Sequence, residues 1–69
     1  MDNFSLETRL VKLRKFNGYT QWDVAEILDI SRSTLSKYEK GILEPNLENL
    51  IKLADLYKVS CDYLLCREL

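Results

Sequence analysis

An all-α fold of five short helices is the architecture this chain predicts, on three observations. Its 69 residues contain one proline and two glycines among abundant Leu, Glu and Lys, a mixture that favours helix. No stretch alternates apolar and polar residues long enough to read as a strand. Good N-cap residues recur ahead of apolar segments at Thr20, Ser31, Asn46 and Ser60, dividing the chain into helical units.

The first helix is expected over roughly residues 6–16. Leu6, Leu10 and Leu13, with Val11, follow the i, i+4, i+7 spacing of one buried face, leaving Arg9, Lys12, Arg14 and Lys15 on the remainder. Gly18 stops it, and the basic residues of its last turn suit the negative end of the helix dipole. The second helix, about 20–28, opens on Thr20 with Asp23 where a capping box places its acidic partner. Val24, Ala25 and Leu28 give it an inward face, and Asp29 breaks it as a residue type that tolerates the left-handed conformation.

Ser31 caps the third helix, which turns Leu35 and Tyr38 inward and ends where Lys40-Gly41 supplies a positive charge and a terminating glycine. About three residues join it to the second helix, too few for an antiparallel pair, so the two must cross steeply. After Ile42-Leu43-Glu44-Pro45, Asn46 caps a fourth helix whose expected inward stripe is Leu47, Leu50, Ile51 and Ala54. Ser60 then caps a short fifth helix carrying Tyr63, Leu64 and Leu65.

Composition narrows the function. With 46% apolar and 30% charged residues the chain reads as one soluble domain, residues 1–69, small enough to have little stability to spare. It has no histidine, which excludes imidazole general-base catalysis, Ser-His and Cys-His nucleophile pairs and histidine-ligated metal. Two cysteines cannot complete a four-ligand zinc site, and two glycines cannot build a Gly-rich phosphate loop. Neither an enzyme nor a cofactor is expected. No run approaches the roughly 20 apolar residues of a membrane span, and Met1-Asp2-Asn3 lacks the start of a signal peptide, so a cytoplasmic chain with no membrane partner is expected. Cys61 and Cys66 lie five apart, not in a CxxC pair. They read as small core or interface hydrophobes, with a thiol sensor or an intermolecular disulfide as the other reading.

The net charge of −1 argues in sum against a nucleic-acid partner, but its distribution matters more. Arg9, Lys12, Arg14 and Lys15 form one basic segment, and Arg32, Lys37 and Lys40 dominate a second. Acidic segments separate them, so folding could gather positive charge on one face.

Thr20-Gln21, Ala25, the run from Ser31 to Glu39, Gly41 and Pro45 stand in a known order and spacing. With the terminal pattern Val59 to Leu65, they give a chain that resembles the Cro and lambda-repressor-like helix-turn-helix family from about Leu6 to Leu65, with the motif itself over about residues 20–40. The resemblance implies a lambda-repressor-like domain whose third helix reads the major groove, roughly 12 Å wide, while the second braces it. Base-reading positions then fall on Arg32, Ser33, Thr34, Ser36 and Lys37, all off the Leu35 and Tyr38 stripe, with Arg32 foremost because arginine donates twice to guanine. Phosphate contacts fall on Thr20, Gln21 and Lys40, and Gln21 has no evident structural duty. Arg14 and Glu39 occupy the positions of an orienting ion pair.

The chain departs from the family pattern at Asp29 and Lys58, where turns usually carry glycine, and at Trp22 and Ile27, usually polar. Core packing of Trp22 and Ile27 is expected, exposed apolar surface for a partner being the alternative.

The function so implied is sequence-specific binding of double-stranded DNA by a small bacterial or phage repressor. One recognition helix reads too few base pairs to specify an operator, so a homodimer on a palindromic operator is expected. Its candidate interface is the C-terminal helix with Tyr63, Leu64, Leu65, Cys66 and Leu69, although that stripe could be intramolecular instead. No sensor domain is expected, because five helices consume the chain. The alternative is a protein-interaction module, an antitoxin or regulator partner, that uses the same fold without specific DNA readout.

Overall fold

The structure, a computed structural model, describes residues 5–67 and consists there of five helices with no strand. These are α1 (Leu6–Phe16), α2 (Gln21–Leu28), α3 (Arg32–Lys40), α4 (Leu47–Tyr57) and α5 (Cys61–Leu64). Each starts on a polar cap whose side chain accepts the backbone N–H three residues on: Ser5 from Thr8, Thr20 from Asp23, Ser31 from Thr34, Asn46 from Asn49 and Ser60 from Tyr63. The box at α2 is reciprocal, since the Thr20 N–H also donates to Asp23 Oδ2 at 2.9 Å. Asp29 and Lys58 both adopt the left-handed conformation, at φ 60° and 59°, and so end α2 and α4 without glycine. Gly41 ends α3 at φ 76°, the left-handed region that favours glycine; a Cβ there would meet only the movable tip of the Glu7 side chain, 2.8 Å from Oε2.

The core is one cluster of Leu10, Val24, Ala25, Leu28, Leu35, Tyr38, Leu50, Leu53, Ala54, Tyr57 and Leu64, with Leu6 and Leu13 half-buried against it. Every helix contributes to it, so α2 and α3 are held in fixed relation by the same residues that stabilise the domain.

Four expectations need correction. The inward stripe of α4 is Leu50, Leu53, Ala54 and Tyr57, while Leu47 is 70% exposed and Ile51 44% exposed. Apolar residues occupy most of the circumference of α4, so its pattern permits two rotations. Buried Asn49, donating through Nδ2 to Tyr38 Oη at 3.0 Å, belongs to the rotation that turns Leu53 and Tyr57 inward. Arg9 does not lie on the solvent side of α1. It is buried, donates from Nη1 to the Tyr63 carbonyl at 2.6 Å, and sits 4.2 Å over the Tyr63 ring, tying α1 to α5. Trp22 and Ile27 stay out of the core, 69% and 51% exposed.

Finally, α5 is only four residues long, with Leu65 as its C-cap. Leu64 is fully buried, Tyr63 is half-buried against Arg9, Cys66 is half-buried and Leu65 is 41% exposed; Leu69 lies outside the described residues. Leu64 therefore fills this domain's own core and is not available to a partner. Cys61 and Cys66 are free thiols, each half-buried, and Cys61 packs against the core.

Candidate nucleic-acid interface

The site is built on α2, its turn and α3. The Asp29 turn closes with the Ile30 N–H on the Ala25 carbonyl at 3.0 Å, and Ser31 then starts α3 directly. Leu35, Tyr38 and Glu39 face inward along α3. Arg32, Ser33, Lys37 and Lys40 are exposed, and Ser33, Lys37 and Lys40 recur at i, i+4, i+7, so they line one outward face. Of the five expected base readers, Arg32, Ser33 and Lys37 are thus exposed. Ser36 is half-buried beside them. Thr34 is half-buried too, and its Oγ1 accepts a hydrogen bond from Ser31 Oγ at 2.9 Å, so it serves the cap as well.

A polar network fixes how that face is presented. Arg14 grips Glu39 with two parallel bonds, Nε to Oε2 at 2.7 Å and Nη2 to Oε1 at 3.1 Å, and donates from Nη1 to the Tyr19 carbonyl at 3.0 Å. The side chains of Arg14 and Glu39 are 12% and 4% exposed. The hydrogen bonds that Arg14 donates to Glu39 push its pKa up against the opposing cost of burial, so the guanidinium is charged at any ordinary pH. The pair joins α1 to the last turn of α3, at the positions where the resemblance implies an orienting ion pair.

Gln21, the first residue of α2, extends the network. Its Nε2 donates to Glu39 Oε1 at 3.0 Å, and its Oε1 accepts from Arg32 Nη1 at 3.0 Å. The absence of a structural duty read from its sequence position is therefore corrected: one amide spans α3 from its first residue to its eighth. The other two expected phosphate ligands, Thr20 and Lys40, are exposed, with Thr20 also engaged as the α2 cap.

Two contacts here escaped sequence reasoning. The Trp22 ring lies under Arg32, with 5.2 Å from the guanidinium carbon to the ring centroid. The bridge through Gln21 is the other. Both join residues ten or more positions apart on different helices, where no periodicity within one element signals them.

The model of the family described as helix-turn-helix matches residues 10–64. The chain belongs to the helix-turn-helix family. Among its relatives, the HTH-type transcriptional regulator ImmR of Bacillus subtilis (strain 168) is 45% identical over 64 residues, which cover 93% of this chain and 50% of that protein. The transcriptional repressor RstR of the cryptic phage CTXphi in Vibrio cholerae is 39% identical over 59 residues, 86% of this chain and 53% of that protein. This helix-turn-helix chain therefore spans about half the length of the curated relatives it matches.

In structure it is similar to the P22 c2 repressor solved in complex with a synthetic operator, with a TM-score of 0.87 at 30% identity over 93% of this chain and 97% of that one. The N-terminal DNA-binding domain of SinR from Bacillus subtilis superposes with a TM-score of 0.77 at 28% identity, covering 86% and 87%. The lambda-repressor-like architecture expected from the motif is the observed one. No helix among the described residues is long and apolar enough to cross a membrane.

Proposed function

We propose that this helix-turn-helix chain is a cytoplasmic, sequence-specific transcription regulator of bacterial or phage type that reads double-stranded DNA through the major groove as a homodimer. One observation carries the reading. The outward face of α3 offers Arg32, Ser33 and Lys37 to solvent, with half-buried Ser36 beside them, while its inward face is locked by Leu35, Tyr38 and the buried Arg14–Glu39 pair, so a polar ridge is presented to solvent. Arg32 reads guanine through two N–H groups, and Ser33, Thr34, Ser36 and Lys37 contact neighbouring base edges or their flanks. Thr20, Gln21 and Lys40 hold the backbone phosphates and set the register.

Leu64 is spent on the core, which weakens the C-terminal stripe as a homodimer interface. The better surface is the apolar patch of Ile42, Leu43, Leu47 and Ile51, exposed by 70%, 45%, 70% and 44%. Leu47 and Ile51 lie one turn apart on α4, and Ile42 and Leu43 lie on the loop that leads into it, immediately after the recognition helix. Pairing two copies here would join the protomers close to the ends of both α3 helices.

Selection from a randomised duplex pool tests the reading. The expected product is an inverted repeat whose half-sites are centred about 10 base pairs apart, as one helical turn requires. Recovery of no enriched sequence, with binding that ignores sequence or is absent at low salt, would favour the interaction-module alternative instead.

A further inference from the structure

We infer that Trp22 is a positioning residue for base reading: its indole, together with the Gln21 amide, holds the Arg32 guanidinium in a fixed pose at the start of α3. The inference rests on the proposed DNA reading and assigns to Trp22 a task within it. Trp22 has no place in the core, being 69% exposed, and its ring lies 5.2 Å from the Arg32 guanidinium carbon. A large aromatic left in solvent beside the foremost candidate reader needs a reason, and the stack supplies one.

The chemistry is compatible with reading. A ring under a guanidinium engages its face, because the π cloud attracts the cation there, whereas a guanine is recognised by in-plane N–H groups at the edge. Of the five N–H donors on Arg32, one of the two on Nη1 goes to Gln21 Oε1 at 3.0 Å, and that bond too lies at one edge. Stacking below and a hydrogen bond on one side leave a second edge for the base. An unsupported arginine samples many rotamers and loses that freedom on binding; one already stacked and bonded loses less. Trp22 thus acts on DNA through Arg32, and the specificity of the site belongs to the Gln21–Trp22–Arg32 unit.

The chain has a single tryptophan, so the stack can be followed in the free protein by its fluorescence. In the DNA-free chain, Arg32→Ala is expected to shift the Trp22 emission and raise its quenching by acrylamide. On the tightest duplex recovered from the randomised pool, Trp22→Ala should weaken binding about two- to fivefold per half-site while leaving random-sequence duplex and the salt slope unchanged. Trp22→Phe, which keeps a ring face, should stay within about twofold of the wild type. In an Arg32→Ala background the Trp22→Ala loss should vanish.

Far-UV circular dichroism establishes that each variant is folded. Unaltered fluorescence in Arg32→Ala, equal losses on selected and random duplex, no rescue by phenylalanine, or an undiminished loss in the Arg32→Ala background would each overturn the inference while the DNA reading stands. A wild-type chain that prefers no duplex would overturn both, and is distinguished because the fluorescence shift would persist.

Discussion

Replacing Glu39 by alanine is the sharpest test of how the recognition helix is held. The carboxylate is 4% exposed and receives three hydrogen bonds, two from Arg14 and one from Gln21. Its removal leaves a guanidinium that is 12% exposed without its counter-charge and a Gln21 amide without its acceptor. Breaking a buried pair from one side costs about 3–5 kcal/mol. Because Arg14 keeps its bond to the Tyr19 carbonyl, the lower end applies, about 3 kcal/mol. A domain of this size is stable by roughly 3–10 kcal/mol, so the variant should sit near the edge of folding.

Urea unfolding followed by circular dichroism should report that loss, and thermal unfolding a fall in Tm of about 12–24 °C. Joint replacement by Arg14→Met and Glu39→Leu should recover most of it, since an apolar pair of similar volume strands no charge. A loss under about 1 kcal/mol for Glu39→Ala would mean that the pair behaves as a surface contact and that α3 is not oriented by it.

Burial raises the pKa of the Tyr57 phenol above the usual tyrosine value, with the nearby Glu39 charge adding to it, and among the described residues no group hydrogen-bonds its Oη. A pKa raised in the folded state gives stability that is fully present below the unfolded value of about 10 and is lost above it. Unfolding titrations from pH 9 to 11 should show a decline that Tyr57→Phe removes, with Tyr57→Phe neutral or up to about 1 kcal/mol more stable at pH 7. Lys58→Gly should stabilise by about 0.5–1 kcal/mol in the same assay, because Lys58 holds φ 59° against its own Cβ. Leu47→Glu or Ile51→Glu should leave the helical content intact, shift sedimentation equilibrium towards monomer and weaken operator binding at least about tenfold; unchanged assembly would remove the α4 patch from the interface.

The caps were readable in advance because capping is local chemistry: Thr20, Ser31, Asn46 and Ser60 each act within three residues. The inward face of α3 was readable for a related reason, since that helix is apolar on one side only. On α2 the stripe of Val24, Ala25 and Leu28 was readable although exposed Trp22 and Ile27 add apolar surface outside it. On α4 the same logic failed at Leu47 and Ile51, because a helix apolar nearly all round does not state which side its neighbours will cover. Arg9 and Trp22 went unread for a different reason. A guanidinium counts as solvated in any periodicity argument until a carbonyl and a ring from a distant helix receive it, and an indole counts as core until a cation is found above it. The Arg14–Glu39 pair lies 25 residues apart and came from the resemblance, not from spacing. At the site, positions were legible where they sit on one helix, and the Gln21 link to Arg32 and Glu39 was not, because it exists only once three helices have met.

The account stands or falls on whether Arg32 reads bases. Titrating the wild type and Arg32→Ala against the selected duplex and an unrelated one, at a single salt concentration, measures this directly. The wild type should prefer the selected duplex by about a thousandfold or more. Arg32→Ala should lose about 1–3 kcal/mol per half-site on that duplex and little on the other. Equal losses on both duplexes, or a wild type that does not tell them apart, would contradict the central claim.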